Sequence, residues 1–179
     1  MRPLLLAAVA TVCFASTESL VSLKSLREVE AAINDKMRSN VNEPYDLLGT
    51  ARGTYLAGYG AVFSVELNLV MVSPLNLSPF KPGISEDEIN LMEKRKLAKV
   101  ETLKDAMRSL MVGAGKTLTG LPPEEHIVME AFLFNYRWER TRDLPNRIVI
   151  TSTKQQLLDA AAKKLKGAEF TKLFDDQEL

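Results

Sequence analysis

The chain has 179 residues, 46% hydrophobic and 26% charged, with 23 basic and 23 acidic side chains. That composition belongs to a folded globular domain, because a disordered chain carries fewer apolar residues and a larger net charge. Its neutrality argues against a nucleic-acid partner, which normally meets a basic excess.

Arg2 supplies one positive charge ahead of a nearly unbroken apolar run from Leu4 to Ala15, the pattern of a secretory signal peptide. The run gives out at Ser16-Thr17-Glu18-Ser19, short of the ~20 apolar residues that a spanning helix needs. Cleavage is expected after Ala15, leaving 16–179 as a single domain with no stable membrane span. The only cysteine, Cys13, falls inside this leader. Ala10-Thr11-Val12 lacks the leucine and the small residue that precede a lipidated cysteine, so a lipoprotein is not expected. The mature chain then has no thiol for a disulfide, a metal or a nucleophile. Removing Arg2 leaves 22 basic against 23 acidic residues, a net charge of −1. The expected setting is the periplasm or the exterior of a bacterium.

Leu26, Val29, Ile33 and Met37 recur at helical spacing within Leu20 to Arg38, which predicts a first helix. Asn40, Asn42 and Pro44 stop it. From Ala61 to Met71 the alternation is strict: Phe63, Val65, Leu67 and Leu69 share one face, Ser64, Glu66 and Asn68 the other. This is a strand with one buried face, and Gly58 and Gly60 allow a tight turn back to a partner at Ala51 to Leu56. A proline-rich loop, Ser73 to Ile84, leads to Ser85 and Glu88, a capping box opening a long helix to about Val112. Its basic middle, Lys94, Arg95, Lys96 and Lys99, reads as a solvated outer face. A third strand is predicted from His126 to Tyr136 and a fourth from Arg147 to Thr151. Thr153 and Gln156 form another capping box, opening a helix that stops at Gly167. The tail offers Phe170, Leu173 and Phe174 for docking, then frays into acid. The predicted fold is α+β: a four-stranded, mainly antiparallel sheet with helices on one face, in the order α-ββ-α-ββ-α.

Several motifs fail on spacing or context. Gly113-Ala114-Gly115-Lys116-Thr117 ends like a phosphate-binding loop, but its first glycine would fall at Leu110, and it closes a helix where the motif should open one. Gly49, Gly53, Gly58 and Gly60 flank strands, which suits turns and not a dinucleotide fingerprint. His126, the only histidine, has no metal-binding neighbour and no nucleophile motif to serve. No cofactor or metal is expected.

One cluster remains. Tyr136, Arg137, Trp138, Arg140, Arg142 and Arg147 gather arginine forks and aromatic planes around a single loop, the residue types enriched where surfaces recognise partners. Glu139 and Asp143 are placed to neutralise part of it. The reading is therefore an exported, non-enzymatic domain that binds a protein or cell-envelope component through this loop or the outer sheet face. The alternative is a hydrolase or small-ligand site built from Tyr55, Glu66, His126 and Glu130, and its signature would be a cleft that gathers them.

Overall fold

The computed structural model describes residues 21–39, 44–71 and 83–179. The predicted leader, its cleavage site, Cys13 and most of the proline-rich loop lie outside those residues.

The chain runs α1 (Leu23–Arg38), β1 (Asp46–Leu47), β2 (Arg52–Leu56), β3 (Gly60–Asn68), α2 (Glu86–Thr117), β4 (His126–Leu133), β5 (Arg147–Thr153), α3 (Lys154–Lys163), α4 (Gly167–Thr171) and β6 (Asp175–Glu178). α1 buries Leu26, Val29, Ile33 and Met37, the stripe its spacing predicts. Both capping boxes form: Ser85 with Glu88 opens α2, and Thr153 with Gln156 opens α3. Each satisfies backbone amides that the first helical turn leaves without partners.

The sheet is α+β in class but mixed in direction, with six strands where four mainly antiparallel ones are predicted. β3 and β4 are parallel, Gly60 to Leu67 against His126 to Leu133. The reason is α2. Its 32 residues span about 48 Å, enough to return the chain to the end where β3 began, and a crossover of that kind makes neighbours parallel. Along its other edge β3 pairs antiparallel with β2 at residues 60–64 and with β1 at 67–68. β5 follows β4 antiparallel, and β6 closes the sheet against β5.

The acidic tail therefore does not fray as predicted. It forms β6 because α2 neutralises it: Lys104 pairs with Glu178 and Arg108 with Asp176. Residues four apart on a helix are about 6 Å apart along its axis, and alternate strand residues about 6.6 Å, so the two cations match the two carboxylates in register. Burial pulls the Lys104 pKa down, but bonds and charges from Glu178 and Glu101 outweigh it and leave the ammonium held above its usual value. While the carboxylates are ionised, the raised lysine pKa contributes stability that is fully present below the ordinary lysine range and is lost as pH rises through the raised pKa.

α2 also runs through Gly113 and Gly115 to Thr117, where the sequence suggests an end near Val112. A Cβ at Gly115 would meet Leu157 Cβ at 3.3 Å and Ile127 Cδ1 at 4.0 Å. The glycine thus lets α2, α3 and β4 approach one another. α1 and α3 flank α2 in a single layer, and Ala61, Phe63, Val65, Ile127, Met129, Ile148 and Ile150 form the core beneath it. At the β2 edge, Asn34 and Glu30 of α1 accept from the Ala51 and Gly53 amides at 2.9 and 2.7 Å. Those two amides are thereby taken out of the pairing an edge strand would otherwise offer.

Two glycines of the β2–β3 turn separate backbone strain from collision. Gly58 (φ 78°) has open space around a would-be Cβ, whereas Gly60 (φ 145°) would drive one into the His126 carbonyl across the parallel pair. In urea denaturation, Gly58→Ala is expected to cost about 1–2 kcal/mol. Gly60→Ala should cost about 3 kcal/mol or more, and equal costs would contradict this packing of β3 on β4.

Candidate binding surface on the open sheet face

Period-two alternation sorts each central strand into two faces. Ile127, Met129, Ala131 and Leu133 of β4 enter the core, and Val128, Glu130 and Phe132 face the other way. Among the described residues no helix covers that second face. Val62, Ser64 and Glu66 of β3 and Arg147, Val149 and Thr151 of β5 lie on it in register.

The alternation does not stop where β4 ends. Phe134, Tyr136 and Trp138 continue the spacing of Phe132, so four aromatics occupy every second position from strand into loop. Phe134 meets Tyr136 edge-on at 4.9 Å, and Tyr136 stacks on Trp138 at 5.6 Å with their planes 11° apart. Both arrangements are favourable for ring quadrupoles. The Arg147 guanidinium lies 6.0 Å from the Phe132 ring centre while Nη1 reaches Glu130 Oε1 at 3.2 Å. Phe132 and Phe134 remain 42% and 36% exposed, so these rings form an exposed apolar patch and not a second core.

Of the predicted cluster, Tyr136, Trp138 and Arg147 belong to this ladder. Arg140 reaches away from it to Glu86 and Asn90 at the start of α2. Arg142 lines a shallow recess with Glu93, Arg140 and Asp143, and Arg137 is exposed. Phe132 and Phe134 are missing from the cluster as read from sequence, although the spacing Phe-Leu-Phe-Asn-Tyr-Arg-Trp carries their signal.

Lys96 is what holds the loop. The sequence places it on a solvated face, but its side chain is fully buried. Its Nζ donates to Phe134 O at 3.0 Å, Asn135 Oδ1 at 2.9 Å and Glu139 Oε2 at 2.5 Å. Glu139 Oε2 also accepts from the Tyr136 amide at 3.1 Å. One ammonium thus fixes the end of β4 and the turn carrying Tyr136 and Trp138. Burial lowers the Lys96 pKa, with Glu139 opposing. Burial also raises the Tyr136 hydroxyl pKa, with Asp46 and Glu139 adding to it.

The residues of the alternative cleft fall into two separate pairs: Glu66 and Glu130 on the open face of neighbouring strands, and Tyr55 and His126 near the β2–β3 turn. Tyr55 donates to Glu125 Oε1 at 3.2 Å. That carboxylate is buried and also accepts from the Gly58 amide, so it anchors the β2–β3 turn. His126 stacks on Tyr59 with ring centres 5.3 Å apart. Glu66 lies six residues along β3 from Gly60, the register partner of His126, a separation of about 20 Å. Glu130 is held by Arg147. The recesses beside α4, beside Arg142 and between α1 and α2 hold none of these four groups, and among the described residues no group of three or more His, Cys, Asp or Glu is placed to hold a metal ion. No family model, curated protein or solved structure matches the chain.

A second buried lysine, Lys154, also escapes sequence reading. Its Nζ donates to Thr119 O at 3.1 Å and Leu121 O at 2.6 Å, closing the exit of α2, and burial lowers its pKa.

Breaking the buried pair from one side should be costly. Lys96→Met leaves Glu139 buried without its cation and is expected to cost about 3–5 kcal/mol in urea denaturation, while Lys96→Met with Glu139→Leu should recover most of it. Between the lowered folded pKa and the ordinary 10.5, the unfolded chain binds more protons, so stability rises with pH there. The rise should be smaller in the double variant; an equal rise would assign it to other groups.

Proposed function

We propose that the chain is an exported, non-enzymatic binding domain of a bacterial periplasm or exterior, which takes a protein or cell-envelope component on its open sheet face. The observation that carries this reading is the ladder of Phe132, Phe134, Tyr136 and Trp138, which starts on a face that no described helix covers and continues into the loop after β4. Aromatic side chains bury large area at low entropic cost and dominate binding energy at interfaces, and Arg147 adds a fork that reaches over Phe132. Separation of Tyr55 and His126 from Glu66 and Glu130 leaves the hydrolase reading without one site that gathers all four, so binding is preferred.

Export rests on the N-terminal apolar run. No helix among the described residues is long and apolar enough to cross a membrane.

Immobilised protein should capture a partner from the envelope fraction of its source. Phe132→Ser with Trp138→Ala should weaken capture at least tenfold without changing the far-ultraviolet spectrum, and Arg142→Ala should leave it intact. Because Trp138 is the only tryptophan, its emission should shift when the partner binds. Capture that survives the double variant would remove the open face from the account. N-terminal sequencing of the natural protein should start near Ser16; a start at Met1 in the cytosolic fraction would remove export.

A further inference from the structure

The helical layer contains a recess of its own, away from the open sheet face. α4 is a short helix with no buried residue. Its Phe170, and Leu165 just before it, line a groove opposite Val112 of α2 and Ala160 and Ala161 of α3. The space measures about 660 Å³, within the ~300–1,000 Å³ of small-molecule sites. Two alanines make the floor, so the room is there because their side chains are short.

The rim is cationic. Lys164 closes α3 in the left-handed conformation, φ 53° and ψ 41°, where glycine is the usual residue. Its own amide caps Ala160 and Ala161, and its side chain and that of Lys166 line the groove. Among the described residues neither lysine has a carboxylate partner. The one acid in the lining, Asp105, is bound to Arg108 Nη1 at 2.7 Å. An apolar trough with two uncommitted ammonium groups at its edge complements a ligand that is apolar along its length and negative at one end.

We propose that this groove binds a single-chain amphiphile with a carboxylate head, a fatty acid of about twelve carbons. The chain lies between Phe170 and the Ala160–Ala161 floor, and the carboxylate meets Lys164 and Lys166. Burial of the chain supplies affinity, and the lysines supply the choice of sign.

Calorimetric titration of the full chain with submicellar dodecanoate tests this, with dodecyltrimethylammonium and butanoate as comparisons. Saturable one-to-one binding of dodecanoate is expected, at least tenfold tighter than the cationic amphiphile, with butanoate too weak to measure. Lys164→Gly suits the left-handed cap, so the variant Lys164→Gly with Lys166→Ala should fold and lose the preference for the anion. Ala161→Phe should abolish binding of dodecanoate. Methyl chemical shifts of Val112, Ala160, Ala161 and Leu165 in the unmodified protein give a reading that needs no variant, and they should move with saturation while Trp138 emission stays constant. No saturable binding, unmoved methyls, equal affinity for both amphiphiles, or a response at Trp138 instead would each overturn the proposal.

Discussion

Three cations of α2 tie the C-terminal half of the molecule to the rest. Lys96, Lys104 and Arg108, at intervals of eight and four residues, take Glu139, Glu178 and Asp176. All three cations are buried. A buried ammonium without a partner costs several kcal/mol, so α2 can sit on the sheet only when the loop after β4 and the last strand bring their carboxylates to it. A slip of β6 by one residue would turn Asp176 and Glu178 to the opposite face and strand both charges. The pairs thus select one register and one loop geometry among arrangements that the apolar core alone would tolerate.

The same helix decides what is left uncovered. Its crossover makes β3 and β4 parallel and puts α1, α2 and α3 in a single layer on one side of the sheet. The other side has no such layer among the described residues. Val62, Val128 and Val149 lie on that side, Val128 buried among its neighbours and the other two half-buried, with the aromatic ladder starting at one end. Lys96 connects the two sides. It reaches from the helical layer to the loop that carries Tyr136 and Trp138, and so a charge buried in one layer sets the shape of the surface presented by the other.

Local features of this fold were legible in the sequence because local physics produces them. The Leu26-Val29-Ile33-Met37 stripe, the alternation through β3 and the two capping boxes each depend on residues a few positions apart. What escaped reading depends on distant partners. The parallel pairing of β3 with β4 follows from the length of α2, and short connections do not foretell it. Asp175 to Glu178 reads as an acidic tail until Lys104 and Arg108 are known to face it. Lys96 sits among Lys94, Arg95 and Lys99 in the sequence, and nothing local sets it apart from them. Half of the aromatic ladder was legible in the Tyr136 and Trp138 cluster. Phe132 and Phe134 look like ordinary strand residues, although their alternate spacing sets them on the face opposite Leu133.

The central claim is that Lys96 shapes the aromatic surface from the opposite layer. Native-state hydrogen exchange of the Tyr136 amide, which donates to Glu139 Oε2, tests it most directly in the unmodified protein and in Lys96→Met. The account predicts slow exchange at Tyr136 in the first, fast exchange in the second, and undiminished protection of Met129 in the middle of β4 relative to each protein's global stability. Equal protection of Tyr136 in both, on that same scale, would show that the loop keeps its shape without the buried ammonium.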